Sequence, residues 1–280
     1  SAASDVYKRQ GDLISLSASA LVWWRTLIAS IGIGLFLLVA GRLNMGWIRS
    51  QRKLYLLGGM VAIHWICFFG SIKLANASTA LICFATISLF TAIIEPWITG
   101  RKRETHEIVF GLMVIPGIVL IAGRAQGDVL MGIILGITAA LLLAIFSSYE
   151  KKWIMEVDPE HMTLLQMTGA WLTMCVWIGG EKLFFGLDRF VPSGQDFIYL
   201  LILGLVCTCV AWVLCTRAVR SVTAYDSIMV INLEPVYGII MAFVILKDFK
   251  ELNTNFYIGA GIILASVIIH PIWQSRYARN

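Results

Sequence analysis

An all-α integral membrane protein, a polytopic helical bundle, is the fold this sequence predicts, and three observations predict it. Of 280 residues, 59% are hydrophobic and only 14% are charged, against roughly 45–50% and about 25% in ordinary soluble domains. The mean hydropathy of +0.81 leaves a soluble fold without a water-compatible surface. The charges are also clustered, so that apolar stretches alternate with short basic segments; each stretch is long enough for a bilayer core, which needs ~20 mostly apolar residues. Soluble enzymes, nucleic-acid binders and secreted disulfide scaffolds are excluded on this ground, and the pI near 8.9 reads as loop basicity.

With charges and turn residues as boundaries, nine helical spans are predicted, at about 17–40, 54–72, 79–99, 108–123, 129–148, 162–181, 197–216, 223–246 and 255–273. The first closes before Arg42, and the second lies between Lys53 and Lys73. The third ends before Arg101. The fourth runs from Glu107 towards Arg124, the fifth from Asp128 towards Lys151 and the sixth from His161 to Lys182. Asp196 and Arg217 bracket the seventh, Lys247 closes the eighth and Arg276 follows the ninth. Membrane strands would instead alternate over ~10 residues. Pro96, Pro116 and Pro235 interrupt spans, which lipid tolerates where neighbouring helices or a cavity satisfy the freed carbonyls. All six cysteines fall inside spans, where free Cys packs as a small hydrophobe. No disulfide framework, metal site or cofactor is expected.

Orientation follows from counting basic residues. Arg42, Arg49, Arg52, Lys53, Arg101, Lys102, Arg103, Lys151, Lys152, Arg217, Arg220, Arg276 and Arg279 give thirteen on one side, against six on the other: Lys73, Arg124, Lys182, Arg189, Lys247 and Lys250. The richer side, with the C-terminus, is predicted to be cytoplasmic. Nine spans put the termini on opposite sides, and residues 1–10 contain no apolar core segment, so they read as an appended or truncated extension.

An internal repeat accounts for the odd number. Thr79-Ala80 and Thr223-Ala224 open spans 144 residues apart, and the basic turns at Arg101 and Lys247 are 146 apart. Shifting the span at 129–148 back by the same offset places its mate before residue 1. The halves, 11–125 and 126–280, thus read as two five-helix repeats, the first without its opening helix: nine visible spans of ten. Repeats with an odd number of spans insert in opposite senses, the inverted-repeat plan of secondary transporters.

The ordered motifs resemble the EamA-type carriers of the drug/metabolite transporter superfamily. They are Trp23-Trp24-Arg25 early in a helix, Ser88-Leu89-Phe90-Thr91-Ala92 followed by Arg101, and Asn232-Leu233-Glu234-Pro235-Val236-Tyr237 followed by Lys247-Asp248. The resemblance covers roughly residues 11–275. It implies transport of small metabolites, commonly amino acids and related compounds, outward across a bacterial-type inner membrane. The partners implied are a small-molecule solute and the lipid bilayer, with no nucleic acid; monomer and homodimer both stay open. Solutes of another class, such as drugs or sugar-linked metabolites, and a non-transporting membrane interaction subunit are the alternatives.

Ionisable groups inside a bilayer cost a few kcal/mol each and are functional candidates by default. Glu234 leads, twelve residues into its span and followed by the helix-breaking Pro235; it reads as a partner for a substrate amine or as a proton-titrating group. Arg25 reads as a ligand for a substrate carboxylate or as a tie to helix-end carbonyls. His64, Trp65 and Phe68 present imidazole and aromatic rings on one helix. Thr86, Ser88, Thr208, Trp212, Asn232 and Tyr237 complete a mixed aromatic and hydrogen-bonding cavity wall, although each hydroxyl alone also reads as bonded to its own helix. Pro96 is a second candidate helix break, and Glu95 reads as pairing with the basic turn at Arg101. Gly132-x-x-x-Gly136 reads as a close helix contact.

Overall fold

The structure, a computed structural model, describes residues 16–113, 115–116, 127–184, 190–223, 225, 227 and 261. Among the described residues all regular structure is helical. In order come α1 Ala18–Val39, α2 Met45–Ser50, α3 Arg52–Leu74, α4 Ala77–Phe84, α5 Ile87–Thr99, α6 Thr105–Leu112, α7 Asp128–Trp153, α8 Pro159–Phe184, α9 Gly194–Leu201, a π-helix Ile202–Val210 and α10 Ala211–Val219. Six described segments are long and apolar enough to cross a membrane: Ala18–Val39, Arg52–Leu74, Thr79–Thr99, Asp128–Trp153, Pro159–Leu183 and Gly194–Val219. They coincide with the spans expected at 17–40, 54–72, 79–99, 129–148, 162–181 and 197–216. Of the span expected at 108–123, α6 covers the beginning. Those at 223–246 and 255–273 lie almost wholly outside the described residues.

Polar side chains set several helix starts. The Ser17 hydroxyl accepts from the Ala20 amide at 3.3 Å and opens α1. The Asn76 side chain accepts from the Thr79 amide at 2.7 Å and opens α4. Ahead of α9, Ser193 and Asp196 form a reciprocal capping box, with the Asp196 amide donating to Ser193 Oγ at 3.2 Å and the Ser193 amide donating to Asp196 Oδ2 at 3.0 Å. Replacing Ser193 by alanine is expected to cost about 1 kcal/mol, read as faster amide exchange in the first turn of α9. Unchanged exchange there would contradict the cap.

Two expected spans are not uniform helices. The segment 79–99 breaks at Ala85–Thr86, where amide bonds tighten to three residues (Thr86 to Cys83 at 3.2 Å) and the hydroxyls of Thr86 and Ser88 donate to the Cys83 and Ala85 carbonyls at 2.6 and 3.0 Å. Hydroxyls competing for helix carbonyls bend the chain here. Pro96, expected as the break, instead lies inside α5; it sits in the last turns, and the helix closes at Gly100 (φ 79°), whose amide bonds the Pro96 carbonyl. In the seventh span the π-helix replaces regular α-helix, and Thr208 donates to the Leu203 carbonyl, five residues back, at 2.8 Å.

The chain forms two compact units, Ser1–Ile66 with Trp153–Ser221, and Cys67–Lys152 with Val222–Asn280. Each draws on both halves of the sequence. In the first, α1 packs along α8 and the π-helix. Gly58 and Gly169 let α3 and α8 meet backbone to backbone: a Cβ on Gly58 would overlap the Gln166 carbonyl, and one on Gly169 the Tyr55 carbonyl. In the second, Gly132 and Gly136 serve the same purpose, since added Cβ atoms would lie 2.8 Å from Ala75 Cβ and Cys83 Cβ. The glycine pair therefore makes the close helix contact expected of it. The outward faces are as apolar as the interior, with Ile31, Leu35, Phe36 and Leu38 of α1 and Val176 of α8 all exposed, as a lipid solvent requires.

Candidate functional site

The three-residue run Trp23-Trp24-Arg25 builds the site in the first unit. Trp23 donates its indole N–H to Cys175 Sγ at 3.1 Å, and Trp24 donates to the Phe190 carbonyl at 2.9 Å. These bonds tie α1 to α8 and to the approach to α9. The Arg25 guanidinium lies on the face of Trp65, 4.1 Å from the ring centroid. Trp65 is buried and meets Trp212 edge to face at 5.8 Å. The Trp212 indole in turn donates to Gln166 Oε1 at 2.8 Å, and Gln166 is fully buried. Thus α1, α3, α8 and α10 each contribute one residue to a continuous chain of contacts.

Arg25 Nε is buried and has no hydrogen-bond partner. Arg25 makes no ion pair among the described residues, whereas Arg42, Lys53, Arg101, Arg217 and Arg220 each pair with a carboxylate. A cation on a tryptophan face gains ~0.5–2 kcal/mol, less than the roughly 2.5–3.5 kcal/mol that insertion scales assign to an intramembrane arginine. The uncompensated part is an electrostatic demand for an anion. A planar guanidinium with a free N–H meets a carboxylate or phosphate in a fork.

The remaining expected residues divide between the units. His64, buried, and Thr208 belong to the first unit with Arg25, Trp65 and Trp212. Phe68, Thr86, Ser88 and Pro96 belong to the second; there Phe68 packs edge to face on Phe84 at 5.4 Å, and both hydroxyls are spent on their own helix. Asn232, Glu234, Pro235 and Tyr237 lie outside the described residues. Gln166 was not anticipated, although a fully polar side chain inside an apolar run is the signal that singled out Arg25.

The second unit holds a buried charge cluster of its own. Arg101 donates through Nη1 and Nη2 to Glu107 at 2.9 and 2.6 Å, and through Nη2 to Glu95 Oε2 at 3.2 Å. The pairing expected between Glu95 and this basic turn is present. Glu95 Oε2 also accepts the Tyr225 amide at 2.9 Å, and the Tyr225 phenol donates to the Glu107 carbonyl at 3.3 Å. Burial pushes the Glu107 carboxyl above its ordinary range despite the opposing pull of Arg101. For Arg101 burial acts downward, but the bond to Glu107 and the neighbouring carboxylates hold it above its ordinary value.

A cleft of about 420 Å³ in the first unit lies elsewhere, among Arg42, Asn44, Glu156, Asp158, His161 and Arg220. Its charges satisfy one another: Arg42 pairs with Asp158 at 3.2 Å and with Glu160 at 3.6 Å, Lys53 with Glu156 at 3.4 Å, and Arg217 with Glu160. Arg220 donates to the Val157 carbonyl at 2.8 Å. The exposed pairs, Arg42 with Asp158 and Lys53 with Glu156, contribute at most ~1 kcal/mol each; Glu160 is buried between Arg42 and Arg217, and the cluster reads as a clasp. It also brings together basic loops that the charge count assigned to one side.

Six apolar segments long enough to cross a membrane define a multi-pass membrane protein. The chain belongs to the EamA-like transporter family, whose model matches residues 2–123 and 130–270 as two repeats. Twenty-five chains of solved structure also match; one, described only as "Crystal structure of protein", superposes with a TM-score of 0.69 at 14% identity, covering 95% of this chain and 92% of the other. That likeness establishes a shared fold. Among curated proteins none matches.

Proposed function

We propose that this protein is a secondary transporter for small carboxylate-bearing metabolites, amino acids foremost, working by alternating access in a bacterial-type inner membrane with its C-terminus in the cytoplasm and export as the favoured direction. The observation that carries this reading is Arg25, a half-buried guanidinium on the Trp65 ring whose enclosed Nε has no hydrogen-bond partner and which has no carboxylate of its own among the described residues. A solute carboxylate supplies the missing charge. Trp65 and Trp212 offer apolar ring surface beside it, and Gln166 holds the Trp212 indole from behind. Metabolite sites combine apolar walls with a few placed polar groups in this way.

The inverted arrangement of the two repeats, with ten spans in the full plan, belongs to the same proposal and makes alternating access the natural mechanism. Glu234 then serves the substrate amine or the coupling proton. Its replacement by glutamine is expected to weaken or uncouple flux in proteoliposomes while leaving membrane insertion intact. Transport kinetics unchanged in that variant would remove Glu234 from the mechanism.

A further inference from the structure

We propose that Glu107 is a proton-binding site, and that the proton it holds decides whether Arg101 serves Glu107 or Glu95, and so how firmly Glu95 grips the chain at Tyr225. The proposal is independent of which solute, if any, Arg25 binds.

One guanidinium faces two carboxylates whose side chains are only 1% and 4% exposed. With both ionised the triad carries a net negative charge out of water, which is costly unless compensated. The other charged groups acting on the triad among the described residues are Glu104, which adds to the negative side, and His106, whose Nδ1 lies 3.8 Å from Glu104. From the other packed elements come the carboxylate of Glu95 on α5, and Tyr225 with its apolar neighbours Ala92 and Ile108. Glu104 lies outside this burial, its side chain half exposed, and the burden falls on the two enclosed carboxylates. A proton neutralises it.

The hydrogen bonds choose which carboxylate takes that proton. Glu95 Oε2 already accepts two N–H groups, from Arg101 and from the Tyr225 amide. The hydrogen bonds to the Glu107 carboxylate come from Arg101 alone, and burial raises its affinity for a proton. In the structure Arg101 lies closer to Glu107, at 2.6 Å, than to Glu95, at 3.2 Å. When Glu107 is protonated, Glu95 is the one remaining anion in the triad. Arg101 then turns to it, and the linked bonds from Arg101 through Glu95 to the Tyr225 amide tighten. The tie is made where the span expected at 223–246 begins.

The sign follows from linkage. A carboxyl whose folded-state pKa is raised contributes stability that is fully present below its ordinary pKa and is lost as pH rises through the raised value. The purified full chain in detergent is therefore expected to melt ~2–4 °C higher at acid than at alkaline pH through this group, with an infrared band of protonated carboxyl that persists above the ordinary carboxyl range and is lost at higher pH. Glu107→Gln imitates the protonated form and is expected to remove both the band and this part of the pH response, keeping the higher midpoint at neutral pH. Glu95→Gln leaves Arg101 and Glu107 as a one-to-one pair, so the band is expected to move to lower pH. A purely structural ion pair behaves otherwise: Glu107→Gln would lower the midpoint equally at every pH, and the wild-type band would be absent above pH 5. Either result overturns the proposal. Should Glu107→Gln fail to fold, the comparison of wild type with Glu95→Gln decides it, since a band unmoved by the loss of Glu95 is incompatible with a shared guanidinium.

Discussion

Replacing Arg25 by glutamine is expected to weaken binding of carboxylate-bearing solutes by about 10- to 100-fold, with the protein still folded and inserted. The magnitude is that of a charge-assisted hydrogen bond to a carboxylate, roughly 1.5–3 kcal/mol, at tenfold per 1.4 kcal/mol. The fold is expected to survive because Arg25 makes no ion pair among the described residues and its Nε bonds nothing. What the variant loses within the protein is the contact with Trp65, worth at most ~2 kcal/mol. Arg25→Lys sharpens the test. It keeps the charge but lacks the planar fork and stacks less well, so it is expected to fall between wild type and glutamine. Isothermal titration or solute-dependent thermal stabilisation reads the series. Equal stabilisation of wild type and Arg25→Gln by the same carboxylate solute would remove Arg25 from the site.

Gly58→Ala is expected to damage the first unit more than any substitution of a site residue. The added methyl would occupy the space of the Gln166 carbonyl, and backbone on a neighbouring helix cannot swing aside as a side chain can. Overpacking typically costs ~1–3 kcal/mol when side chains yield; here the α3–α8 contact must open instead, so the loss is expected at or above the top of that range. In lipid, where helix association rests on close packing, such a shift removes much of what holds the pair. Gln166 would move with it, and the contact with Trp212 would be lost. Gly179→Ala on α8 is the control, because a Cβ there meets nothing within 4 Å; better helix propensity makes it neutral or stabilising by up to ~1 kcal/mol. Melting midpoints in detergent compare the two, and similar midpoints would contradict the close α3–α8 approach.

These two residues differ in how far the sequence revealed them. Arg25 was legible because a charge in an apolar run stands out whatever surrounds it. Gly58 was not, since glycines are common in membrane helices and only the partner helix shows which of them is in contact. The long helices were legible for the first reason: α1, α3, α7 and α8 are apolar runs closed by charges, and their bounds fall within a few residues of the expected ones. Three features escaped. The break at Ala85–Thr86 arises from hydroxyls competing for carbonyls, which residue type alone does not distinguish from an ordinary mid-helix threonine. The π-helix over Ile202–Val210 leaves no mark in residue type; it packs against α1, where Gly204 sits so close that a Cβ would lie 2.7 Å from Ile28 Cγ2. The triad around Arg101 needed Glu107, which as a charge beside a predicted span served only to mark its boundary. Its burial at 3% exposure is a property of the tertiary structure.

As proposed, Arg25 anchors the carboxylate of a transported metabolite. Counterflow in proteoliposomes tests it most directly, with the full chain reconstituted in vesicles preloaded with a pool of amino acids and related carboxylates and challenged with labelled members of the pool. At least one carboxylate solute is expected to exchange, its decarboxylated amine is not, and Arg25→Gln is expected to lower the exchange about tenfold or more. Exchange of solutes without a carboxylate, or exchange indifferent to Arg25, would contradict it.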